Sequence, residues 1–371
     1  MAELFGFTYF ERPNKGEMKK AGNLKYGYER TNGEFIVIFD ADFAPHKDFL
    51  RELVPYMSDS KIGIVQSPQY FQTDKEVYNR SPLEYGGAYV QEDFYRVIQV
   101  SRNNLGGALC CGSNALYRRT ALNEIGGTVQ IEHSEDAHTG FALAEKKWKI
   151  QYLPIILAVG ISPDNLHAYF HQQHRWCSGS MSLMLTKKFW KSSLSWKQKL
   201  CYITGFLYYL HHPIGLFMSF QLFITLFLYN EYVSFANAFL FYPYLIFSFI
   251  ILPLSRIPRL KWGCLFVSLV QLYSYSHAIV VAFLRSSVGW ISTGTKHSRV
   301  SSAFNQTMII VGLYTSIYGF LLLFAAFIGY LHVFNLNYYS IQFWLFYNMI
   351  LSTFLFWQMF KFYRSTKLTT S

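Results

Sequence analysis

The stretch Phe35-Ile-Val-Ile-Phe39, followed at once by Asp40-Ala41-Asp42, decides how this chain folds. Five apolar residues without alternation are the pattern of a strand buried on both faces, as in the sheet of an α/β protein. The acids at its carboxyl end stand where such sheets bind their ligands. Working outward, Ile62-Gly-Ile-Val65 reads as a second buried strand leading into Gln66-Ser-Pro-Gln-Tyr-Phe71. Residues 48–57 and 120–125 read as short helices, the second stopped by Gly126-Gly127. The first half is therefore expected to be an α/β domain around a mainly parallel sheet.

The rest of the chain is different in kind. Of 371 residues, 51% are hydrophobic, 19% aromatic and only 15% charged. Soluble domains carry about 25% charged residues. Residues 1–200 hold 24 Lys+Arg and 21 Asp+Glu, a net +3, whereas residues 201–371 hold 9 Lys+Arg and the single acid Glu231, a net +8. An apolar sequence with sparse basic punctuation is how a membrane domain reads. Disorder, a disulfide-knit secreted domain and a nucleic-acid-binding basic surface are poor fits. Cys110, Cys111, Cys177, Cys201 and Cys264 show no paired metal spacing and suggest a reducing environment. There is no internal repeat, and the first ten residues lack the pattern of a signal peptide.

Five apolar stretches, at about 201–229, 232–254, 262–284, 306–332 and 339–360, exceed the ~20 residues needed to cross a bilayer. With the first half cytosolic, two crossings return Arg256, Arg259 and Lys261 to the inside, as the positive-inside rule prefers. A crossing by the third stretch would then expel Arg285, Lys296, His297 and Arg299. Four crossings keep that loop and the tail (Lys361, Arg364, Lys367) inside. Residues 262–284 also carry Gln271, Ser274, Ser276 and His277, a mixed face suited to an interfacial helix. The expectation is four spans plus one interface helix, with five plain spans as the alternative.

Three polar elements in the first half can carry chemistry. Asp40 and Asp42 can offer carboxylate oxygens to a hard divalent cation shared with substrate phosphates. In His133-Ser134-Glu135-Asp136, ahead of a helical pattern, the acids either complement a helix dipole or include a general base. In Gln172-Gln173-His174-Arg175-Trp176, the Arg can pair a diphosphate and the indole can face a sugar ring; the pair would serve equally as an interfacial anchor. His211-His212-Pro213, inside an apolar stretch, reads as a helix kink rather than a metal pair.

In this order, DxD, ED and QxxRW resemble the processive family 2 glycosyltransferases, the group that contains bacterial cellulose synthase and hyaluronan synthase. Further segments agree: Tyr9-Phe-Glu-Arg-Pro13 with Lys20-Ala-Gly-Asn-Leu24, Gln66-Ser-Pro-Gln-Tyr-Phe71 (the family's "TPQ.F"), and Cys110-Cys-Gly-Ser113 followed by Arg118-Arg119 ("FCGS…RR"). Trp290-Ile-Ser-Thr-Gly-Thr-Lys296 resembles the cellulose-synthase gating loop "FxVTxK", with Lys296 one residue further from Thr293. The resemblance implies a GT-A-like α/β glycosyltransferase domain over residues 1–190, incomplete at its N-terminus. A transmembrane α-helical domain would follow over 191–371, with the interface helix at 262–284 and a gating-like loop at 285–303.

The resemblance further implies that Asp40 and Asp42 hold a nucleotide sugar through Mg²⁺ or Mn²⁺, and that Asp136 is the general base. Lys20, Arg175, Thr293 and Lys296 would contact the nucleotide. Cys111, Gly112 and Ser113 would line the sugar pocket, and Gln172, Trp176 and Glu135 would hold the acceptor. The expected partners are a UDP-sugar donor, a growing polysaccharide, membrane lipid and possible accessory subunits, with no nucleic acid. The expected setting is a multi-pass cell-membrane protein with a cytosolic catalytic domain. UDP-glucose polymerised to a β-glucan is the first choice. Alternatives are a hyaluronan- or chitin-type synthase, a non-processive lipid-linked transferase, and a non-catalytic channel or scaffold subunit.

The family's first nucleotide-binding strand and its acid have no counterpart after Met1. Residues 1–371 alone are therefore expected to bind donor poorly until another segment or chain completes the domain. UDP affinity measured beside an N-terminally extended chain checks this, and equally tight binding by both overturns it.

Overall fold

The apolar run beginning at Phe35 forms the strand β1 (Phe35–Ile38) in a computed structural model of the chain, which describes residues 3–72, 75–232, 234, 236–237, 243, 246, 251, 262–284, 300–331 and 338–368. The other strands are β2 (Phe43–Pro45), β3 (Ile62–Gln66), β4 (Tyr70–Phe71), β5 (Ala115–Arg118), β6 (Lys149–Tyr152) and β7 (Ala158–Gly160). One sheet runs in the order β1-β5-β3-β6, and a smaller one in the order β2-β7-β4.

The mainly parallel sheet expected from the sequence is corrected here. β5 inserts antiparallel between β1 and β3, and only β3 and β6 pair in parallel. The physical reason is that an unbroken apolar run records burial of both faces, and burial is blind to strand direction. That burial is real. Ile38, Ile64, Ala115 and Tyr117 pack on one face with Leu122 and Leu143, while Val65 and Leu116 pack on the other with Phe49, Leu53 and Leu153. A register irregularity between Ile62 and Ile64 turns Ile62 onto the same face as Val65. The helix Phe49–Leu53 and its 3₁₀ extension Val54–Ser58 cover that second face, so the reading of 48–57 was close.

The chain divides into two compact units. The first is Met1–Thr73, Ala88–Ser162 and Arg175–Leu207, and holds both sheets; the second is Asp74–Gly87, Pro163–His174 and Tyr208–Ser371. The expected boundary is at 190; the division into compact units falls at 207 and assigns two short segments of the first half to the second unit.

Among the described residues of the second unit, three helices are long and apolar enough to cross a membrane: Gly263–Phe283, Ser302–Ile328 and Gln342–Lys367. The first apolar stretch is divided between the helices Trp196–Ser219, which contains Pro213, and Gln221–Leu228. Most of 232–254, together with Arg256, Arg259 and Lys261, lies outside the described residues. The polar face of Trp262–Phe283 is buried against residues 166–174. Gln271 donates to Tyr169 Oη (3.1 Å) and Gln173 Oε1 (3.2 Å), Ser274 Oγ donates to the Phe170 carbonyl (3.0 Å), and His174 meets His277 at 3.1 Å. Gly86 and Gly263 let the backbones of their two helices approach closely, and a Cβ on either would collide with main chain.

The central strand supplies a direct check on the core. Ile64 has no exposed surface, so Ile64→Ala is expected to cost about 2–5 kcal/mol in chemical unfolding of the detergent-solubilised chain.

Candidate active site

β1 ends where its acids begin, and a tight turn closed by Phe43 N–H donating to the Asp40 carbonyl (3.0 Å) presents Asp40-Ala41-Asp42 between β1 and β2. Lys20, on the helix Lys19–Tyr28, forms an ion pair with Asp40, donates to the Gly112 carbonyl at 3.1 Å and lies 3.9 Å from Glu135 Oε1. The Asp40 backbone N–H donates to Ser113 Oγ at 2.9 Å. Four segments distant in sequence thus meet around one ammonium group.

The loop carrying Cys111, Gly112 and Ser113 is held by three glutamine side chains. Gln66 donates to the Leu109 carbonyl (3.1 Å) and accepts from Cys111 N–H (2.7 Å), Gln69 donates to the Cys111 carbonyl (2.8 Å), and Gln99 donates to the Leu109 carbonyl (2.7 Å). Gly112 has φ 74°, and a Cβ there would lie 2.7 Å from Asp136 Cβ and 2.9 Å from its Oδ2. Glycine is therefore required twice over, by the backbone conformation and by the closeness of the acid.

Glu135 and Asp136 open the helix Glu135–Glu145 after Ser134, whose backbone is left-handed at φ 56°. Asp136 Oδ1 accepts from Ala137 N–H at 2.8 Å, and the side chain keeps partial contact with solvent. Burial raises the Asp136 pKa above the ordinary carboxylate range; Lys20 opposes this and Asp40 adds to it. Burial and the neighbouring Asp136 push Glu135 up to about 7. Burial and Asp40 raise Asp42 as well. Burial pulls Lys20 down, but Asp40, Glu135 and Asp136 outweigh it and its pKa is raised. Arg175 is lowered by burial, while Asp40, Glu135 and Asp42 favour its charged form.

The structure thus brings together Lys20, Asp40, Gly112, Ser113, Glu135 and Asp136, with Asp42 and Arg175 in electrostatic reach. The Cys111 thiol accepts from the Gln99 amide at 3.6 Å, and burial, with Asp136 adding to it, pushes its pKa up to about 12. Gln172 and Trp176 share the helix Leu166–Met184 with Arg175, Gln172 buried and Trp176 half-buried. Thr293 and Lys296 lie outside the described residues. Among the described residues no group of three or more His, Cys, Asp and Glu is arranged to hold a metal ion. Asp40 and Asp42 can offer two carboxylates, which suits a cation completed by phosphates and water.

Sequence reasoning missed the contacts of two residues and overlooked two others. Gln66 and Gln69 stood out by resemblance only, and nothing local marked Gln99, whose partners are ten residues on. Gly179 was invisible too: a Cβ there would collide with Ser134, so this glycine lets the helix Leu166–Met184 lie against the turn that presents the two acids.

The sequence profile of the glycosyltransferase-like family 2 matches residues 8–179. Cellulose synthase 1 of Komagataeibacter xylinus is 34% identical over 202 residues, 54% of this chain and 13% of that protein. The UDP-forming cellulose synthase catalytic subunit of Xanthomonas axonopodis pv. citri is 28% identical over 214 residues, 56% of this chain and 28% of that protein. The chain thus spans under a third of the length of these relatives. A solved mannosyltransferase from Pyrobaculum calidifontis, in complex with GDP-Man and Mn²⁺, has a TM-score of 0.54 at 18% identity, covering 76% of this chain and 70% of that one. That likeness is one of fold: a GT-A-type α/β domain accompanied by helices.

The raised carboxyl groups carry a pH signature. For Glu135 the folded pKa exceeds the unfolded one, so its charging penalty is absent below about pH 4 and complete above about pH 7. Glu135→Gln is therefore expected to gain stability relative to the parent chain as pH rises through that window. Parallel denaturation curves at pH 4 and pH 8 check it, and an unchanged difference overturns it.

Proposed function

We propose, for a chain whose residues 8–179 are a family 2 glycosyltransferase domain related to the cellulose synthases, that it transfers sugar from a UDP-sugar to the end of a growing polysaccharide and does so at a membrane. The observation that carries this reading is the meeting of Lys20 and Asp40 with the 111–113 loop and the Glu135–Asp136 pair. A half-buried carboxylate with a raised pKa, beside cationic groups able to receive a diphosphate, is an arrangement for acid–base work on a charged donor.

In the proposed reaction Asp136 accepts the proton of an acceptor hydroxyl. The hydroxyl oxygen attacks the anomeric carbon of the donor, the bond from that carbon to the diphosphate oxygen breaks, and UDP departs with the bonding pair. Attack opposite the leaving group inverts the anomeric configuration. Lys20 and Arg175 would hold the diphosphate and offset its growing charge. Ser113, whose hydroxyl accepts from the Asp40 backbone N–H, would line the sugar pocket with Cys111 and Gly112. Asp40 and Asp42 would hold Mg²⁺ or Mn²⁺, which when bound would screen the departing diphosphate. Asp42, whose pKa is raised first by burial and then by the neighbouring Asp40 carboxylate, fits a cation held there between the two acids. Gln172, Trp176 and Glu135 would orient the acceptor, and Thr293 and Lys296 would touch the nucleotide from a gating loop.

UDP-glucose and a β-glucan product are proposed from the relatives rather than from pocket chemistry. The placement of the basic residues in the second half supports a cytosolic active site and four spans with 262–284 at the interface, and the family resemblance supports outward passage of the polymer.

Membranes bearing the chain, supplied in turn with radiolabelled UDP-glucose, UDP-N-acetylglucosamine and UDP-glucuronic acid, test the reading. Asp136→Asn is expected to lower incorporation by about 10²–10⁴-fold, the contribution of a general base. Incorporation by the parent should rise with pH as Asp136 ionises, with a midpoint above that of an ordinary aspartate. Undiminished incorporation by Asp136→Asn overturns the role of that residue, and no incorporation from any donor overturns the reaction.

A further inference from the structure

The residues after the helix Leu166–Met184 build a surface that the transfer reaction does not use. Between positions 187 and 199 stand Lys187, Lys188, Lys191, Lys197 and Lys199, with no acid among them. The fold adds a sixth from elsewhere: Lys147 Nζ donates to the Ser193 carbonyl at 2.7 Å. Among the described residues only Lys188 of the six meets a carboxylate, Glu145 at 3.2 Å. Lys147, Lys187, Lys191 and Lys197 are exposed to solvent.

This segment is a firm platform and not a loose basic tail. Thr186 caps its short helix by accepting from Phe189 N–H, and Phe189 has no exposed surface, its ring packed against those of Phe141, Tyr202 and Phe206. Two indoles stand out from it, Trp190 at 56% and Trp196 at 70% exposure. The Trp190 ring is oriented by its N–H donating to the Met184 carbonyl at 2.9 Å. From Trp196 onward the helix Trp196–Ser219 bears an outward apolar stripe of Leu200, Leu207 and Ile214, seven residues apart and therefore on one face. Lysines interleaved with exposed indoles, followed along the chain by an exposed aliphatic stripe, are the residue types that suit the headgroup and interface layers and then the hydrocarbon of a bilayer.

We propose that the platform at residues 187–199, with Lys147, binds the headgroup phosphates of anionic phospholipids, with Trp190 and Trp196 seated at headgroup level. Charge complementarity and continuity with the apolar stripe favour lipid over an acidic protein partner. A headgroup layer offers many phosphates at one height, matching ammonium groups spread over a surface better than converging on a pocket. The proposal rests on the membrane reading of the second unit. It deepens that reading by naming a lipid class for this region.

The full chain reconstituted in phosphatidylcholine vesicles, carrying either nitroxide-labelled phosphatidylglycerol or nitroxide-labelled phosphatidylcholine, tests it by the fraction of motionally restricted lipid. Labelled phosphatidylglycerol is expected to be restricted at least about twofold more, and about 0.5 M salt should erase the excess. Replacing Lys187, Lys191 and Lys197 together by Gln should abolish the excess without changing the circular dichroism. Equal restriction of the two lipids, as an acidic protein partner would leave it, overturns the proposal. Restriction of neither lipid overturns the membrane reading itself.

Discussion

One ammonium group ties together the segments of the candidate active site. Lys20 reaches Asp40 at the end of β1, the carbonyl of Gly112 in the 109–114 loop, and Glu135 at the head of a helix. Charges brought close in a partly desolvated site repel and lose hydration, and carboxylates respond by rising in pKa. Asp42, Glu135 and Asp136 all do. A cluster of this kind is costly for stability and weak evidence of a purely structural purpose. It becomes intelligible if the region must receive a negatively charged donor and take up a proton, tasks for which a neutral, well-packed interior would be useless.

The same cluster explains why its surroundings are braced by amides and not by further charges. Gln66, Gln69 and Gln99 satisfy the main chain of the 109–114 loop from three directions, adding rigidity without adding charge. Gly112 and Gly179 work by absence: one admits the Asp136 side chain, the other admits Ser134. Rigid support around a site matters because small displacements of reacting groups cost large factors in rate.

In the second unit the governing constraint is satisfaction of polar groups within apolar helices. Gln271, Ser274, Tyr275 and His277 all find partners on or beside residues 166–174 or on Gln306. His171 and His167 continue the network to Ser301, meeting its hydroxyl at 2.6 Å and its backbone N–H at 3.2 Å. The segment that carries Gln172 is therefore fastened at one side to Trp262–Phe283 and at the other to the start of Ser302–Leu331. Movement of either helix would be felt at the segment bearing the proposed acceptor contacts.

The sequence by itself determined the kinds of element, the division of the chain into a charged and an apolar half, and the positions of the principal acids. Those features are recorded locally: β1 and β3 in unbroken apolar runs, Glu135 and Asp136 ahead of a helical pattern, the candidate spans in length and lack of charge. Only the tertiary structure decided that β5 lies antiparallel between β1 and β3, because pairing partners are chosen across the sheet and burial leaves no mark of direction. It also decided that the mixed face of Trp262–Phe283 is turned to protein contacts. The sequence pattern had suggested an interface, and a polar stripe looks the same whether water, headgroups or another helix satisfies it. The gathering of Lys20, Asp40, Gly112 and Asp136 was legible residue by residue but not as a site. Contacts between segments ninety positions apart depend on how the sheet is closed, which no local pattern encodes.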